Sequence, residues 1–281
     1  MLYLGVSRES RFSPHRIDGD KVIFDAVGSV LARGDDMLFK MTESEFAYDG
    51  VEDPTLFDAV FHLCRSDKAL DRLTDIERLG IPVINRPDAV RNCRRVRETR
   101  LLQSSDVSFA RGIITSAGKI PDSWDSFPCW IKRGDSHSIQ SDDVCLVSTR
   151  EECLAVMDRM ERRGIDDVVL QEHILGKICK FYGIGEGLLF RHRFLENVGE
   201  GKFGLECNNE IGVADVDVDA FKADVVKAAR ILDIDVYGGD AIVGPDGRAV
   251  IIDFNDWPSF FICKTDAARV IAELIRERCD R

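Results

Sequence analysis

Short apolar runs alternate with amphipathic helical segments in the first third of this 281-residue chain. The apolar runs predict strands over residues 2–6, 37–41, 59–63 and 81–84. Segments 20–33 and 66–79 have apolar residues at helical spacing, and Gly34 and Gly80 mark their ends. Strands that alternate with helices are typical of a parallel sheet, because each parallel connection needs a crossover. We therefore predict an N-terminal parallel α/β domain over residues 1–86.

The remaining sequence predicts two smaller α+β modules. Strands are expected over residues 109–115, 129–133, 144–148, 168–174, 178–184, 188–195, 204–207, 238–243 and 249–254. Helices are expected over residues 88–103, 149–163, 218–232 and 266–279. The turn 244–247 reads Gly-Pro-Asp-Gly, which suits a tight hairpin connection. We assign residues 87–166 to a central module and residues 167–281 to a C-terminal module, so the fold class is α/β with α+β modules.

Net charge and cysteine content argue against several classes of function. The chain has 38 Lys and Arg against 50 Asp and Glu, a formal net charge of −12, so broad binding to nucleic acid or to an anionic membrane is not expected. No apolar run approaches the roughly 20 residues of a membrane span, and early charges argue against a signal peptide. The nine cysteines form no CxxC pair, which favours reduced thiols in a cytoplasmic protein.

A cluster of oxygen-bearing side chains is predicted on the last hairpin. Asp240 lies on one strand, and Asp253 and Asn255 lie on the next. Alternate residues of a strand share a face, so Asp253 and Asn255 point the same way and a neighbouring strand can bring Asp240 beside them. Two carboxylates and an amide oxygen suit Mg²⁺ that bridges nucleotide phosphates. The alternative is a strand end with solvated polar residues.

A lysine strand followed by a small, polar loop forms a second candidate site. Lys132 lies near the end of the strand expected over residues 129–133, and Gly134, Ser136 and Ser138 follow the strand. Backbone N–H groups and hydroxyls of such a loop can bind phosphate oxygens while the lysine supplies a charge. The sequence is not a P-loop, since nothing in the chain matches GxxxxGK[ST]. An ordinary hairpin turn is the alternative.

An apolar strand that ends in polar residues forms the third candidate. Gln171, Glu172, His173 and Ile174 precede Gly176 and could form a hinge whose backbone pairs with an adenine edge. Glu172 could then accept a hydrogen bond from the exocyclic amine or from a ribose hydroxyl. His173 on its own is more often a structural histidine than a ligand.

The order of these three segments resembles the ATP-grasp superfamily, and the resemblance covers most of the chain. It implies that the central and C-terminal modules clasp ATP, with Mg²⁺ held by Asp240, Asp253 and Asn255. It places Lys132 and Lys180 near the phosphates. The implied nucleotide-binding residues are Lys132, Gly134, Ser136, Gln171, Glu172, His173, Ile174 and Lys180.

The sequence departs from the family at two positions. Relatives usually carry a lysine early in the helix that enters the central module, but residues 91–97 contain none. Arg95 or Arg97 could take its role, and the sequence leaves this choice open. Asp253 stands where many ligases of the family carry glutamate. The residues implied in catalysis are Lys132, Lys180, Arg95, Arg97 and His137.

A basic loop after the first strand is the candidate substrate site, which puts the N-terminal domain on the substrate side. Arg8, Arg11, His15 and Arg16 cluster there in an otherwise acidic chain, and arginine suits a carboxylate or a phosphate. A solvated loop balanced by nearby acids is the alternative. Trp257 could form a wall of the substrate pocket or belong to the core.

Three functions remain compatible with the sequence. The resemblance implies an Mg-ATP-dependent ligase that joins a carboxylate to an amine through an acyl phosphate, acting on a small anionic substrate. The spacing of Lys132, Gly134, Ser136 and His137 is similar to that of ATP-grasp inositol polyphosphate kinases, which implies the alternative of a small-molecule kinase. A non-catalytic nucleotide-binding protein is the third. A homodimer is compatible with each.

Overall fold

Three four-stranded sheets organise the residues that the computed structural model describes, which are 1–13, 17–136, 138–195 and 215–280. The strands of the first sheet are β1 (Leu2–Ser7), β2 (Met37–Thr42), β3 (Ala59–His62) and β4 (Val83–Ile84). They are parallel in the order β2-β1-β3-β4. The helices of this region are α1 (Ile17–Leu31), α2 (Glu43–Tyr48) and α3 (Asp67–Arg78).

The four strands and two helices predicted for this region are confirmed, and one further helix, α2, is present. A capping box starts α2. The Thr42 hydroxyl accepts the Glu45 N–H at 3.2 Å, and the Glu45 carboxylate accepts the Thr42 N–H at 2.8 Å. The Thr-x-x-Glu signal is present in the sequence, but the helix has only six residues and no helical repeat of apolar side chains.

The second sheet is antiparallel. Its strands are β5 (Gly112–Ser116), β6 (Cys129–Arg133), β7 (Val144–Val147) and β8 (Asp167–Glu172), and its neighbouring helices are α4 (Pro87–Asn92), α5 (Arg95–Gln103) and α6 (Arg150–Glu161). The strand order is β5-β8-β6-β7. β8, the strand expected to open the C-terminal module, forms its hydrogen bonds in this second sheet. Its residues Val168 and Leu170 pack in the core beneath α6.

The single helix expected over residues 88–103 is wrong, since α4 and α5 are separate helices. Arg94 has an extended backbone (φ −70°, ψ 133°) and caps α5. The Val96 N–H, in the first turn of α5, donates to the Gly134 carbonyl at 3.1 Å. Tertiary hydrogen bonding thus satisfies the start of α5, and the break turns this helix toward the Lys132 loop.

The third sheet is also antiparallel. Its strands are β9 (Lys177–Ile184), β10 (Leu189–Phe194), β11 (Val236–Val243) and β12 (Ala249–Asp256), and the helices that follow in this region are α7 (Val218–Leu232) and α8 (Lys264–Cys279). The strand order is β10-β9-β11-β12. α7 covers one face of the sheet, and α8 packs on α1 in a core shared with the N-terminal sheet. The strand expected over residues 204–207 lies outside the described residues.

Two further expectations concern cysteines and membranes. The eight cysteines among the described residues are all free thiols, and six of them are buried. Cys207 lies outside the described part of the chain. Within that part, no helix combines the length and the apolar character that crossing a membrane requires.

Candidate active site

A β-bulge places the three predicted metal ligands on one face of the third sheet. Asp240 pairs with Asp253 across β11 and β12, but the next residue of β11 pairs with Ile251, so Ile252 is left out of the register. The extra residue reverses which side chains face the core, and Phe254 packs there together with Ile251. Asp253 therefore lies directly across from Asp240, and Asn255 lies two residues further along the same strand.

Both predicted lysines lie at this cluster. Lys180 is the cross-strand partner of Asp240 on β9, and its Nζ lies 2.7 Å from the Asp240 carboxylate. Lys132 reaches from β6 of the second sheet and donates to the Ile252 carbonyl at 2.7 Å. Burial lowers the pKa of Lys132, and the nearby Asp253 carboxylate opposes that effect. The two lysines therefore bring positive charge from both sheets to the same place.

The structure distinguishes between the two candidate arginines. Arg95 is 4% exposed, and its Nε lies 3.4 Å from the Asp253 carboxylate. The same guanidinium donates to the Ser136 carbonyl at 3.2 Å and to the Ser138 hydroxyl at 3.1 Å. Arg97 is exposed. Arg95 is thus the arginine of α5 that faces the site, and it also holds the loop that follows Lys132.

Glu98 is a member of the site that the sequence analysis missed. It lies one turn after Arg95 on α5, is 2% exposed, and has one carboxylate oxygen without a partner among the described residues. Burial, followed by repulsion from Asp253, raises the pKa of Glu98 well above its ordinary value, against the attraction of Lys132 and Arg95. A lone acid at helical spacing from Arg95 in a basic helix was the only sequence signal for it.

The loop after Lys132 is held at both ends. A Cβ on Gly134 would lie 2.7 Å from the Asp167 carbonyl oxygen, so the loop approaches β8 more closely than a larger residue allows. At the other end the buried Asp143 carboxylate accepts the Ile139 N–H at 2.7 Å and the Gln140 N–H at 3.0 Å. His137 lies outside the described residues. The fixed ends leave a short, polar segment beside Arg95.

The residues predicted to form the hinge lie at the end of β8 and directly after it, and their side chains have partners within the protein. The Glu172 carboxylate accepts the Arg111 N–H at 2.9 Å, which commits one of its oxygens to β5's neighbouring loop. Trp130 donates from Nε1 to His173 Nδ1 at 3.2 Å, so a neutral His173 carries its proton on Nε2. Burial lowers the pKa of His173, which favours this neutral form. Gln171 is 2% exposed.

An apolar surface adjoins the hinge on the third sheet. Ile174 packs against a cluster of side chains from β9, β11 and β12, whose members include Ile178, Ile242 and Ile252. Ile252 is also the residue whose carbonyl accepts from Lys132. The apolar surface and the charged cluster are therefore adjacent.

Of the basic residues predicted to bind substrate, the structure describes Arg8 and Arg11, and these two make separate contacts. Arg8 is buried and donates to the Leu63 carbonyl, to Asp20 and to Asp256, so its contacts do not support a role in binding substrate. Arg11 is exposed and pairs with Glu9 at 2.6 Å. His15 and Arg16 lie outside the described residues.

Trp257 belongs to the core. It is 1% exposed and stacks against Phe61, with 6.2 Å between the ring centroids. The expectation that it forms a wall of the substrate pocket is therefore wrong, because its ring fills the space between the N-terminal sheet and the end of β12. Its indole N–H has no partner among the described residues.

The oxygen donors present fit Mg²⁺. Asp240, Asp253 and Asn255 offer two carboxylates and one amide oxygen, which are hard ligands of the kind this ion prefers. In the described part of the chain, no group of three or more His, Cys, Asp or Glu side chains could hold a metal ion, so the amide of Asn255 would have to complete the set. At present it donates to Asp253 at 3.5 Å.

Solved structures with low sequence identity share this fold. The D-alanine–D-alanine ligase from Bacillus anthracis complexed with ATP has a TM-score of 0.71 at 12% identity, over 99% of this chain and 96% of that chain. VanG D-Ala:D-Ser ligase from Enterococcus faecalis has a TM-score of 0.70 at 15% identity, over 99% and 97%.

A third similar structure carries the family name in its description. The ATP-grasp ligase PsnB, complexed with a minimal precursor, has a TM-score of 0.59 at 15% identity and covers 98% of both chains. No protein-family model matches the sequence, and no curated protein matches it. The expected ATP-grasp fold is therefore confirmed at the level of structure.

Proposed function

We propose that this protein is an Mg-ATP-dependent ligase that joins a carboxylate to an amine. The observation that carries the proposal is the charged cluster between the second and third sheets. Lys132, Lys180 and Arg95 meet Asp240 and Asp253 there, with 2.7 Å between Lys180 and Asp240 and 3.4 Å between Arg95 and Asp253. Cations for a polyphosphate and oxygens for a divalent ion are thus adjacent, in a fold shared with ligases.

The nucleotide is expected to span the apolar surface and the charged cluster. The base would lie against the apolar side chains of Ile178, Ile242 and Ile252 beside the predicted hinge, since ligand pockets are lined mostly by apolar groups. The phosphates would lie at Lys132 and Lys180. An ATP complex among the structures with the same fold supports this use of the site.

Positioning and charge would supply most of the catalysis. A bound Mg²⁺, held by Asp240, Asp253 and Asn255, would neutralise charge on the β- and γ-phosphates. The substrate carboxylate attacks the γ-phosphorus, the bond to ADP breaks, and an acyl phosphate forms. The amine then attacks the acyl carbon, inorganic phosphate leaves, and the amine loses a proton. Lys132 and Arg95 stabilise the charge of the transferred group.

The test measures ADP and free phosphate in parallel with Mg-ATP. The substrate panel holds amino acids and short peptides with added amines on one side and inositol phosphates on the other. A ligase releases ADP and phosphate only when a carboxylate and an amine are both present. ADP without free phosphate, with the phosphoryl group retained on a polyol, would instead identify a kinase. ATP binding without ADP release for any member of the panel would favour the non-catalytic nucleotide-binding protein.

A further inference from the structure

Arg65 lies where the N-terminal sheet meets the candidate active site. It follows β3 at the carboxyl end of the parallel sheet, the edge where open α/β sheets bind ligands. Its Nε donates to the Asp256 carboxylate at 3.0 Å, and its Nη2 lies 2.7 Å from that carboxylate. Asp256 directly follows Asn255. The guanidinium of Arg65 is therefore next to the end of the candidate metal strand.

Arg65 retains one donor group that protein contacts do not use. Among the described residues, contacts engage its Nε and Nη2, and none engages Nη1. Its side chain is 13% exposed. Arg8 binds the same carboxylate, but it uses all three nitrogens and its side chain is 3% exposed. Arg65 is thus the member of this buried ion cluster that can bind a further anion.

The pKa values of Arg8 and Arg65 shift in opposite directions. Burial lowers the pKa of Arg8, but Asp20, Asp256 and Glu43 more than compensate and raise it. Burial and the charge of Arg8 lower the pKa of Arg65, and Asp256 does not compensate fully. Burial is the main cause of the lowered pKa of Arg65, and the neighbouring Arg8 charge adds to it. An anion that binds the unused donor of Arg65 would oppose both effects.

Arg94 lies beside Arg65 and connects it to the active-site helix. Its Nη2 donates to the Arg65 carbonyl at 3.4 Å and to the Asp67 carboxylate at 2.6 Å. Within the described residues these contacts use only Nη2, and the side chain is 29% exposed. The next residue, Arg95, turns to Asp253. Two consecutive arginines therefore link the position of Arg65 to the candidate metal ligands.

We propose that Arg65 and Arg94 together bind a carboxylate of the organic substrate, one that takes no part in bond formation, at the end of β12 and the start of α5. This proposal rests on the proposed ligase function. The planar guanidinium matches the geometry of a carboxylate, and Asp256 fixes the orientation of Arg65. Arg8, which the sequence analysis assigned to the substrate, instead holds Asp256 in place.

The test compares amino acids that supply the amine with their primary amides, which lack only the carboxylate that takes no part in bond formation. The ratio of kcat/KM for each active acid and its amide is measured in the wild-type protein, Arg65→Lys and Arg94→Gln. Arg65→Lys keeps a positive charge toward Asp256 but lacks the unused guanidinium nitrogen. Arg78→Gln is the matched control, because Arg78 is 74% exposed at the far end of α3.

We expect the preference for the acid to fall about 10- to 100-fold in both variants, which corresponds to the loss of a charge-assisted hydrogen bond. The KM for ATP and the ratio in Arg78→Gln should not change. Arg94 lies outside the buried ion cluster, so Arg94→Gln keeps the proposal testable if Arg65→Lys is unstable. An unchanged ratio in an active Arg94→Gln enzyme overturns the proposal and leaves the ligase function intact.

A binding measurement separates this proposal from the proposed function. Isothermal titration calorimetry is performed with succinate and with uncharged succinamide at fixed ionic strength. If the wild-type protein releases no ADP with any substrate, the ligase function fails, and weaker succinate binding by Arg65→Lys and Arg94→Gln still supports the arginine site. In that case, equal succinate affinity of wild type and variants, or no binding by the wild type, overturns it.

Discussion

Lys132 and Ile252 join the two antiparallel sheets of the candidate site directly, with 2.7 Å between the lysine Nζ and the carbonyl oxygen. The bond depends on the bulge, because Ile252 is omitted from the paired register of β12 and its carbonyl is therefore available. The same bulge turns Asp253 toward Asp240. One irregularity in a strand thus positions a cation from one sheet and a carboxylate pair on the other.

Asp253→Asn tests the predicted metal set. The loss of one carboxylate weakens the stabilisation of phosphate charge, which is worth several kcal/mol, so turnover should fall by about 100-fold or more. The affinity for ATP, measured by calorimetry with and without Mg²⁺, should lose most of its dependence on the metal. Asp246→Asn is the matched control, because the Asp246 side chain lies in the turn between β11 and β12 and is 64% exposed. Unchanged metal dependence in Asp253→Asn would exclude Asp253 as a ligand.

Arg95→Gln tests which arginine serves the site. Arg95 makes contacts with Asp253, Ser136 and Ser138, so its loss should lower the free energy of unfolding by about 1–3 kcal/mol and raise the KM for ATP. Arg100→Gln, at an exposed position of the same helix, controls for the change in charge. Denaturant unfolding and steady-state kinetics measure both effects. Equal free energies of unfolding and equal KM values for ATP in the two variants would contradict the assignment of Arg95 to the site.

Local patterns predicted much of the fold, as α7 illustrates. Its bounds, Val218–Leu232, agree with the expected helix because the Asp217 cap and the apolar repeat are both local signals. The outcome for Arg8 differs for a physical reason. Its partner Asp256 is 248 residues away, so no local pattern distinguishes this buried bridge from an exposed basic loop.

In the candidate site, too, local patterns predict some features, and others depend on contacts between residues that are distant in sequence. Asp253 and Asn255 were predicted to share a face. That prediction needs only the alternation of side chains along one strand, which is a local pattern. The choice between Arg95 and Arg97, and the role of Glu98, depend on how α5 packs against β12. The break between α4 and α5 sets that packing, together with the hydrogen bond from the Val96 N–H to the Gly134 carbonyl. No residue type in the helix predicts this hydrogen bond.

Glu98→Gln should raise the free energy of unfolding above that of the wild type, and this gain should be larger at neutral pH than at acidic pH. The folded chain raises the pKa of Glu98, whereas an unfolded chain has the ordinary value of about 4.3. As the pH rises above that value, the unfolded wild type releases a proton that the folded form retains, so the wild type loses stability. Glutamine does not titrate. Its advantage should therefore grow with pH.

Denaturant unfolding at pH 4.5 and pH 7.5 measures this effect. The gain of Glu98→Gln over the wild type should increase between the two conditions, by about 1.4 kcal/mol for each pH unit in which the folded wild type retains the proton and the unfolded chain has released it. Glu273→Gln, at a 54% exposed position on α8, should show no such increase. A gain that is the same at both values would mean that Glu98 titrates normally.

Gly134→Ala tests the close approach of the Lys132 loop to β8. The added Cβ would lie 2.7 Å from both the Asp167 carbonyl oxygen and the Val96 side chain, and the former is backbone that cannot move aside cheaply. Overpacking of this kind should lower the free energy of unfolding by about 1–3 kcal/mol and raise the KM for ATP, because the loop must shift. Gly244→Ala is the control, since its Cβ would first meet the tip of the Asp246 side chain at 3.1 Å. A normal KM for ATP in Gly134→Ala would show that the loop position does not matter for nucleotide binding.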